Sequence, residues 1–371
     1  MKVPFGNLKK QYLAQKNHID RAIGRVLKSG WFILGEEVTA FEVEFSKFCG
    51  TKYAVGVANG MEALELALKA LGVRPGDEVI TTPLSAAATA LAIVRVGGRP
   101  IYCDVEENSL NLDPTKIQKL ISKKTKVILP VHLYGRPANM SAIMKIAKKN
   151  KLFILEDAAQ AHGAMVNDKP VSSYGDVTAF SFYPSKNLGA YGDGGAIVTD
   201  QKKIADFCRM LRNYGEKLRY EHVLPGYNSR LDELQAAILR ARLKFLAEQN
   251  AKRHSLARLY SRLLTGLPIV TPEDTKIYNS VWHLYVIRVQ ARTRDKLRNY
   301  LSRQGVGTQV HYPKVLYRQT ALLEKKATCP IAEQAVKEIL SLPIYPEMKE
   351  AEVKYVCRQI RNFFQQESHG R

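Results

Sequence analysis

Apolar and polar positions follow two alternating periods along the first two thirds of the chain, and turn residues mark the switches between them. The stretch MEALELALKALGV (61–73) repeats its apolar positions every three to four residues and predicts a helix, DEVITTP (77–83) predicts a strand, TALAIVRVG (89–97) a helix and PIYCDV (100–105) a strand. The alternation continues with helical TKIQKLI (115–121), the strand KVILPVHLYG (126–135), helical SAIMKIAKKN (141–150) and the strand KLFILED (151–157). Two further strands, VTAFSFY (177–183) and GGAIVTD (194–200), follow. Strands that are apolar throughout and separated by helices predict a mostly parallel sheet covered on both faces. From Leu231 to Leu264 the period is helical, which predicts a long helical stretch linking two lobes. Beyond it, the strand WHLYVIRV (282–289) and helices near RDKLRNYLSRQ (294–304) and AEVKYVCRQIRNFF (351–364) predict a smaller α/β lobe. The expected division is a large domain over 1–245 and a small C-terminal domain over 246–371, with QQESHGR (365–371) as a frayed tail.

Composition narrows the class. A chain of 371 residues with 46% hydrophobic and 25% charged content can bury a core of enzyme size. It has no apolar run of about 18 residues, and its start, MKVPFGNLKKQY, lacks the apolar segment of a signal peptide, so a cytoplasmic address without a membrane partner is expected. Five scattered cysteines with no CxxC pair predict reduced packing residues and neither a disulfide framework nor a metal site. The formal charge of +21 favours an anionic partner. Its basic residues are spread through segments such as KKIADFCRMLRNYGEKLRY (202–220) and no recognition motif accompanies them, so a small phosphorylated ligand is expected and nucleic acid is not.

Ligands of open parallel sheets sit at the carboxyl ends of the strands. Asp157 ends the strand KLFILED, where it either faces a ligand or caps the following turn. Lys186, in SFYPSKNLGAYGDGG (181–195), follows another strand; alone, among 56 lysines and arginines, it would count as one more solvated charge. Together, a carboxylate and a lysine at the ends of core strands are what pyridoxal phosphate requires. The amine bonds covalently to the cofactor aldehyde, and the carboxylate holds the pyridine nitrogen protonated so that the ring accepts electrons. Burial beside a cationic ring would lower the pKa of such a lysine. The segment VGVANGMEALELAL (55–68) runs from a strand through Asn59 and Gly60 into a helix whose first amides can face a phosphate, and Ser181 could add a hydroxyl. GAYGDGG (189–195) leads into the strand-like AIVTD and is therefore no GxGxxG turn; its glycines let the chain bend closely around the lysine.

With VPFGNLKKQY, SGWFILGEEVTAFE, ANGMEALELAL, VHLYGRPANM, EDAAQAHGA, SFYPSKNLGAYGDGGAIVTD, LRNYG and GYNSRLDELQAAIL in this order, the chain resembles the DegT/DnrJ/EryC1/StrS family of sugar aminotransferases. The resemblance implies the fold-type I pyridoxal-phosphate architecture, a large, mostly parallel seven-stranded sheet domain with a smaller C-terminal α/β domain. It makes Lys186 the Schiff-base lysine and Asp157 the partner of the ring nitrogen, and it places Gln160 at the ring hydroxyl. Gly60 and Met61 would bind phosphate through their amides, Ser181 through its hydroxyl, and Asn228 by reaching in from a second subunit, which implies a homodimer with shared sites. Without the family, Asn228 reads as a turn residue in GYNS. Two positions depart from the family pattern. Met61 brings no hydroxyl, and Ala86, in TTPLSAAATAL (81–91), stands where an aromatic usually stacks on the ring, leaving that face to Leu84 or to an aromatic from elsewhere. Relatives with histidine in place of the lysine are dehydratases, so Lys186 favours transamination. The implied substrates are L-glutamate and a nucleotide-linked keto-sugar. YGEKLRYEHVLPGYNSRLDELQAA (214–237) is similar to members that aminate C3 of dTDP-3-keto-6-deoxyhexoses; the alternatives are amination at C4 of a UDP- or dTDP-sugar and a non-catalytic regulatory member. Tyr183, His311 and Tyr312 match sugar-contacting positions of that subgroup, although HYP also reads as a packed turn. Arg230 would either serve the substrate or pair with Asp232.

Overall fold

The computed structural model describes residues 1–275, 277–322, 324 and 327–369. Seven strands make the main sheet: β1 (Tyr53–Val57), β2 (Glu78–Thr81), β3 (Arg99–Tyr102), β4 (Thr125–Leu129), β5 (Phe153–Asp157), β6 (Val177–Ser181) and β7 (Gly195–Thr199), in the order β1-β7-β6-β5-β4-β2-β3. Strands β3, β2, β4, β5 and β6 run parallel, whereas β7 is antiparallel to both β6 and β1. The reversal has a local cause. Parallel neighbours need a crossover, usually a helix, and the stretch between Ser181 and Gly195 holds only the glycine-rich lysine loop.

Helices α1 (Leu8–Ser29), α2 (Glu36–Cys49), α3 (Gly60–Ala70), α4 (Ala87–Arg95), α5 (Met140–Asn150), α6 (Lys202–Arg212) and α7 (Glu233–Leu243) surround the sheet. Alternate strand residues supply its two cores, as the two-residue strand period requires. Val55, Val57, Val177, Ala179 and Ile197 pack with α3 and α6 on one face, while Ala54, Phe180, Ala196 and Val198 pack with Phe41 and Phe45 of α2 and Leu239 of α7 on the other. The buried carboxylate of Glu233 ties α7 to α2. It accepts from the amides of Gly35 (2.8 Å), Glu37 (2.9 Å) and Val38 (2.9 Å), so its charge sits at the positive end of α2 and its oxygens are satisfied there.

The second lobe is built from α8 (Leu246–Leu264), the antiparallel sheet β8 (Ile269–Val270), β9 (Tyr285–Val289) and β10 (Ile339–Leu342), and helices α9 (Ala291–Arg303), α10 (Pro330–Glu338) and α11 (Glu350–His369). Tyr260, Tyr285, Leu297, Leu301, Val356 and Ile360 form its core, and Val3 joins them through a bridge to Val306, so the first residues cross over to this lobe.

Three local expectations change. The helical stretch from Leu231 to Leu264 is two helices, because Lys244 and Phe245 turn the chain between α7 and α8. β4 stops at Leu129 because Pro130 has no N–H to continue the ladder, and the rest of KVILPVHLYG folds into a tight turn with Tyr134 at φ 61°. The expected frayed tail is helical through His369: Gln365, Gln366 and Glu367 are good helix formers, and Lys296 lies 3.8 Å from Glu367. Gly370 and Arg371 lie outside the described residues. All five cysteines are buried free thiols. Among the described residues no helix is long and apolar enough to cross a membrane, and no group of three His, Cys, Asp or Glu residues is placed to hold a metal ion.

Candidate active site

Asp157 closes β5 and Ser181 closes the adjacent parallel strand β6, so the carboxylate and the lysine loop emerge at the same edge of the sheet. The backbone of Asp157 is fixed by two bonds to the chain leaving β4: its N–H donates to Pro130 O (2.9 Å) and its carbonyl accepts from His132 N–H (3.0 Å). Its side chain is 4% exposed. One oxygen accepts from Thr89 Oγ1 at 2.9 Å, the other from the Ala159 amide at 3.1 Å, and Ser85 Oγ lies 2.9 Å from Thr89 Oγ1. Burial pushes this carboxyl above the usual range. The Thr89 and Ala159 hydrogen bonds oppose that shift, followed by the charges of Lys186 and His132.

Lys186 shows the complementary shift. The residue is half-buried in the chain, but its amine lies deep enough among protein atoms that desolvation lowers its pKa to about 8, against the pull of Asp157. Three histidines lie in the electrostatic reach of that amine. Burial, then Lys186, holds His162 down at about 3 and His311 at about 4, and the same causes keep His283 well below its ordinary value. The lysine is thus surrounded by neutral rings.

Gln160 joins this group to the second lobe. Its Oε1 accepts from the Tyr134 amide (2.7 Å) and its Nε2 donates to Tyr312 Oη (3.1 Å), while the Tyr134 hydroxyl donates to the His311 carbonyl and His311 Nδ1 meets Ser341 Oγ at 2.9 Å. Burial and the charge of Asp157 push the Tyr312 phenol up to about 12. Asp157, Gln160, Lys186, His311 and Tyr312 therefore share one site, and HYP is packed into it.

The helix start at Gly60 faces the same edge. Asn59 caps α3, its side chain accepting from the Glu62 amide (2.9 Å) and its carbonyl from the Ala63 amide (3.0 Å). The amides of Gly60 and Met61 open the helix, where first-turn N–H groups have no intrahelical acceptor. A Cβ on Gly60 would stand 2.5 Å from Ser181 Cβ, and one on Gly195 would stand 2.4 Å from the Asn59 carbonyl. These two glycines let the start of α3 close on Ser181 and on β7 in one corner. Gly60→Ala is accordingly expected to weaken binding of pyridoxal phosphate at least about tenfold by displacing Ser181, as read by equilibrium dialysis; affinity unchanged from the native protein would remove the corner from the cofactor site.

Other predicted residues sit differently. Met61 is half-buried against the core and Ala86 is half-buried just before α4. Leu84 is enclosed in the core and has no exposed face to offer a ring, which removes it as a cover for the position opposite Ala86. Tyr183 is 56% exposed and Asn228 is exposed. Arg230 does not pair with Asp232: Nη1 donates to Asn213 Oδ1 (3.0 Å) and the guanidinium lies 5.3 Å from the centre of the Tyr214 ring. Asn213 also bridges Asn228, so Tyr214, Asn228 and Arg230 form a second group at the base of the hairpin Glu216–His222. Sequence reasoning missed Thr89, His132, His162 and His283 around the carboxylate and the amine. All but Thr89 and His283 lay within the quoted motifs VHLYGRPANM and EDAAQAHGA.

The donor set fits pyridoxal phosphate: a buried carboxylate for the ring nitrogen, an easily deprotonated amine for the aldehyde, and a helix start beside a serine hydroxyl for the phosphate.

Comparisons with known proteins agree over nearly the full length. The model of the DegT/DnrJ/EryC1/StrS aminotransferase family matches residues 14–361. A Geobacillus stearothermophilus protein called a pleiotropic regulatory protein is 44% identical, with 98% of this chain and 99% of the relative covered. The dTDP-3-amino-3,4,6-trideoxy-alpha-D-glucose transaminase of Streptomyces venezuelae is 43% identical over 98% of this chain and 96% of its own length. The crystal structure of S. venezuelae DesV superposes with a TM-score of 0.95 at 43% identity, covering 98% of each chain.

Proposed function

Because this chain belongs to the DegT/DnrJ/EryC1/StrS aminotransferase family, we propose that it is a pyridoxal-phosphate-dependent transaminase moving an amino group from L-glutamate to C3 of a dTDP-3-keto-6-deoxyhexose. The observation that carries the reading is the shared site of Asp157 and Lys186, in which burial shifts the acid upward and the amine downward.

Pyridoxal phosphate, when bound, supplies the electron sink for the carbanion formed at the donor carbon. The residues do the rest. Asp157, held by Thr89 and Ala159, would take the hydrogen bond of the ring nitrogen, and Gln160 would stand at the ring hydroxyl. The amides of Gly60 and Met61 and the hydroxyl of Ser181 hold the phosphate. Lys186 would hold the aldehyde through its amine, and the same amine would carry a proton to and from the donor carbon. With its pKa near 8 about half of such amines are neutral at that pH, against less than about 1% for an ordinary lysine. Tyr312, with its hydroxyl on Gln160, is an aromatic side chain bordering the same site.

Asn228 acts from the partner in a homodimer with shared sites. Exposed Trp31, Phe32, Leu218 and Tyr220, apolar side chains that a solvated monomer surface has little use for, support that assembly. The nucleotide diphosphate suits a chain of net charge +21, with Tyr183, His311, Tyr312 and Arg230 toward the sugar. We assign 1–245 to the PLP-binding domain, its first residues packing on the second lobe, and 246–371 to the small domain, a division supported by the turn between α7 and α8.

The name of the Geobacillus relative and the alanine at 86 favour one second reading, a regulatory protein that keeps the fold. Both are tested by incubating the cofactor-loaded protein with glutamate and either dTDP-3-keto or dTDP-4-keto-6-deoxyhexose. Amination of the 3-keto sugar, detected by mass spectrometry and NMR, is expected. Amination of the 4-keto sugar alone would reject the regiochemistry, and no product with an absorption spectrum indifferent to glutamate would establish the regulatory reading.

A further inference from the structure

The lysine loop is held from outside itself. Within the loop, Lys186 N–H donates to Tyr183 O (2.8 Å), and Gly189 packs so tightly on Pro184 that a Cβ there would meet its carbonyl oxygen at 2.4 Å. These contacts shape the turn but do not locate it. Arg242 and Gln235 of α7 hold its far end at Gly189 and Tyr191, and the residue after the lysine holds it to the second lobe. Asn187 is 4% exposed, and its Nδ2 donates both to Asn250 Oδ1 on α8 (2.9 Å) and to the Val281 carbonyl (2.9 Å). Its Oδ1 lies 3.2 Å from His283 Nδ1. Asn250 passes the connection on, donating from Nδ2 to the His162 carbonyl at 2.9 Å, and Val281 N–H donates to Gly135 O at 3.0 Å. One carboxamide thus joins the lysine loop to α8 and to the chain entering β9.

The chemistry of these partners fixes protons as well as positions. A backbone carbonyl can only accept, so the nitrogen of the Asn187 amide must face Val281 and its oxygen must face His283. An amide oxygen also only accepts. His283 Nδ1 must therefore carry a hydrogen, which leaves Nε2 of the neutral ring as the acceptor, in the electrostatic reach of Lys186.

We propose that Asn187 is a positioning residue for Lys186: with Asn250, Val281 and His283 it fastens the lysine loop to the second lobe, keeps the amine inside the site while it is free of the cofactor, and sets the His283 tautomer. The inference rests on the proposed function for its purpose, since only a lysine that bonds and releases a cofactor needs its loop held in both states. A bond network of neutral, buried groups suits this task, because each bond left open costs the desolvation of its donor or acceptor.

The test reads the amine without the cofactor or turnover. Cofactor-free protein is labelled with acetic anhydride from about pH 6 to about pH 11, and acetylation of Lys186 is followed by peptide mass spectrometry. The native midpoint is expected near 8. In Asn187→Ala, the lysine end of the loop loses its hold on the second lobe while Arg242 still holds Gly189, water reaches the amine, and the midpoint is expected to rise by about one unit, a roughly fivefold fall in labelling rate at pH 8. Asn250→Ala, which cuts the same connection from α8, is expected to move it in the same direction by less. A folded Asn187→Ala protein with the native midpoint, whatever its melting temperature, overturns the proposal, because a merely structural asparagine would change stability and leave the amine alone. Should Asn187→Ala not fold, an unshifted midpoint in Asn250→Ala overturns it equally. If the native protein transaminates no sugar, the titration still gives its own answer, so the two readings fail separately.

Discussion

Lys186→Ala is expected to lower the transamination rate by at least about 10,000-fold while leaving noncovalent binding of pyridoxal phosphate within about tenfold of native. The loss is large because the proposed function gives one side chain two offices, covalent attachment to the aldehyde and proton transfer at the donor carbon, and general-base catalysis alone contributes about 100-fold to 10,000-fold. Binding survives because the phosphate corner at Gly60 and Ser181 and the carboxylate of Asp157 are untouched. Lys186→Arg separates charge from basicity. A guanidinium is cationic but cannot give up its proton near neutral pH, so the same loss is expected. In native protein, the free amine is protonated below about pH 8 and neutral above it, so any step limited by that amine speeds up with pH until about 8 and then levels off. Dialysis measures binding, stopped-flow mixing with glutamate measures the first half-reaction, and a Lys186→Ala protein transaminating within tenfold of native would refute the assignment.

How far the fold could be read from the chain depended on whether each feature was local. The apolar runs at 153–157 and 177–181 announced buried strands because both faces of this sheet are covered. The reversal of β7 was foreshadowed by the lack of a helical pattern between Ser181 and Gly195. The break at Lys244 and Phe245 was not, since the stretch keeps a helical period and contains no glycine or proline; tertiary contacts set it, with Arg242 donating to the Gly189 carbonyl and Phe245 packed edge-on to His18. The same limit applies to the site. Lys186 and Asp157 carry chemistry that their strand-end positions reveal, but what restrains them comes from far along the chain. Thr89 and Asp157 are 68 positions apart, Asn187 and His283 are 96 apart, and only the crossovers bring them together. Of the two alternatives for Arg230, pairing with Asp232 was suggested by closeness in sequence, yet the structure presents Asn213 instead.

Asp157→Asn carries the second large effect, an expected fall in turnover of roughly 1,000-fold with little change in the fold. An amide fills the carboxylate's space, and its oxygen can stay on the Ala159 amide while its nitrogen turns to Thr89, whose hydroxyl accepts as well as donates. What it loses is negative charge. Without that charge nothing in the site favours a protonated ring nitrogen, and an unprotonated ring is a poor acceptor for the electrons of the donor carbon. The native carboxyl has its own pH signature. Its pKa in the folded protein is raised by burial, so above that pKa it is ionised and holds the ring cation, and as the pH falls through it the acid becomes neutral and the attraction disappears. Affinity of the native apoprotein for pyridoxal phosphate is therefore expected to fall on the acid side, and the extra fall is expected to be missing in Asp157→Asn, whose side chain does not titrate. Dialysis between about pH 4 and about pH 7, run on both proteins, isolates this difference from protonation of the cofactor itself, which the two share. Parallel curves for the two proteins, or an Asp157→Asn enzyme turning over within about tenfold of native, would show that the carboxylate does not face the ring nitrogen.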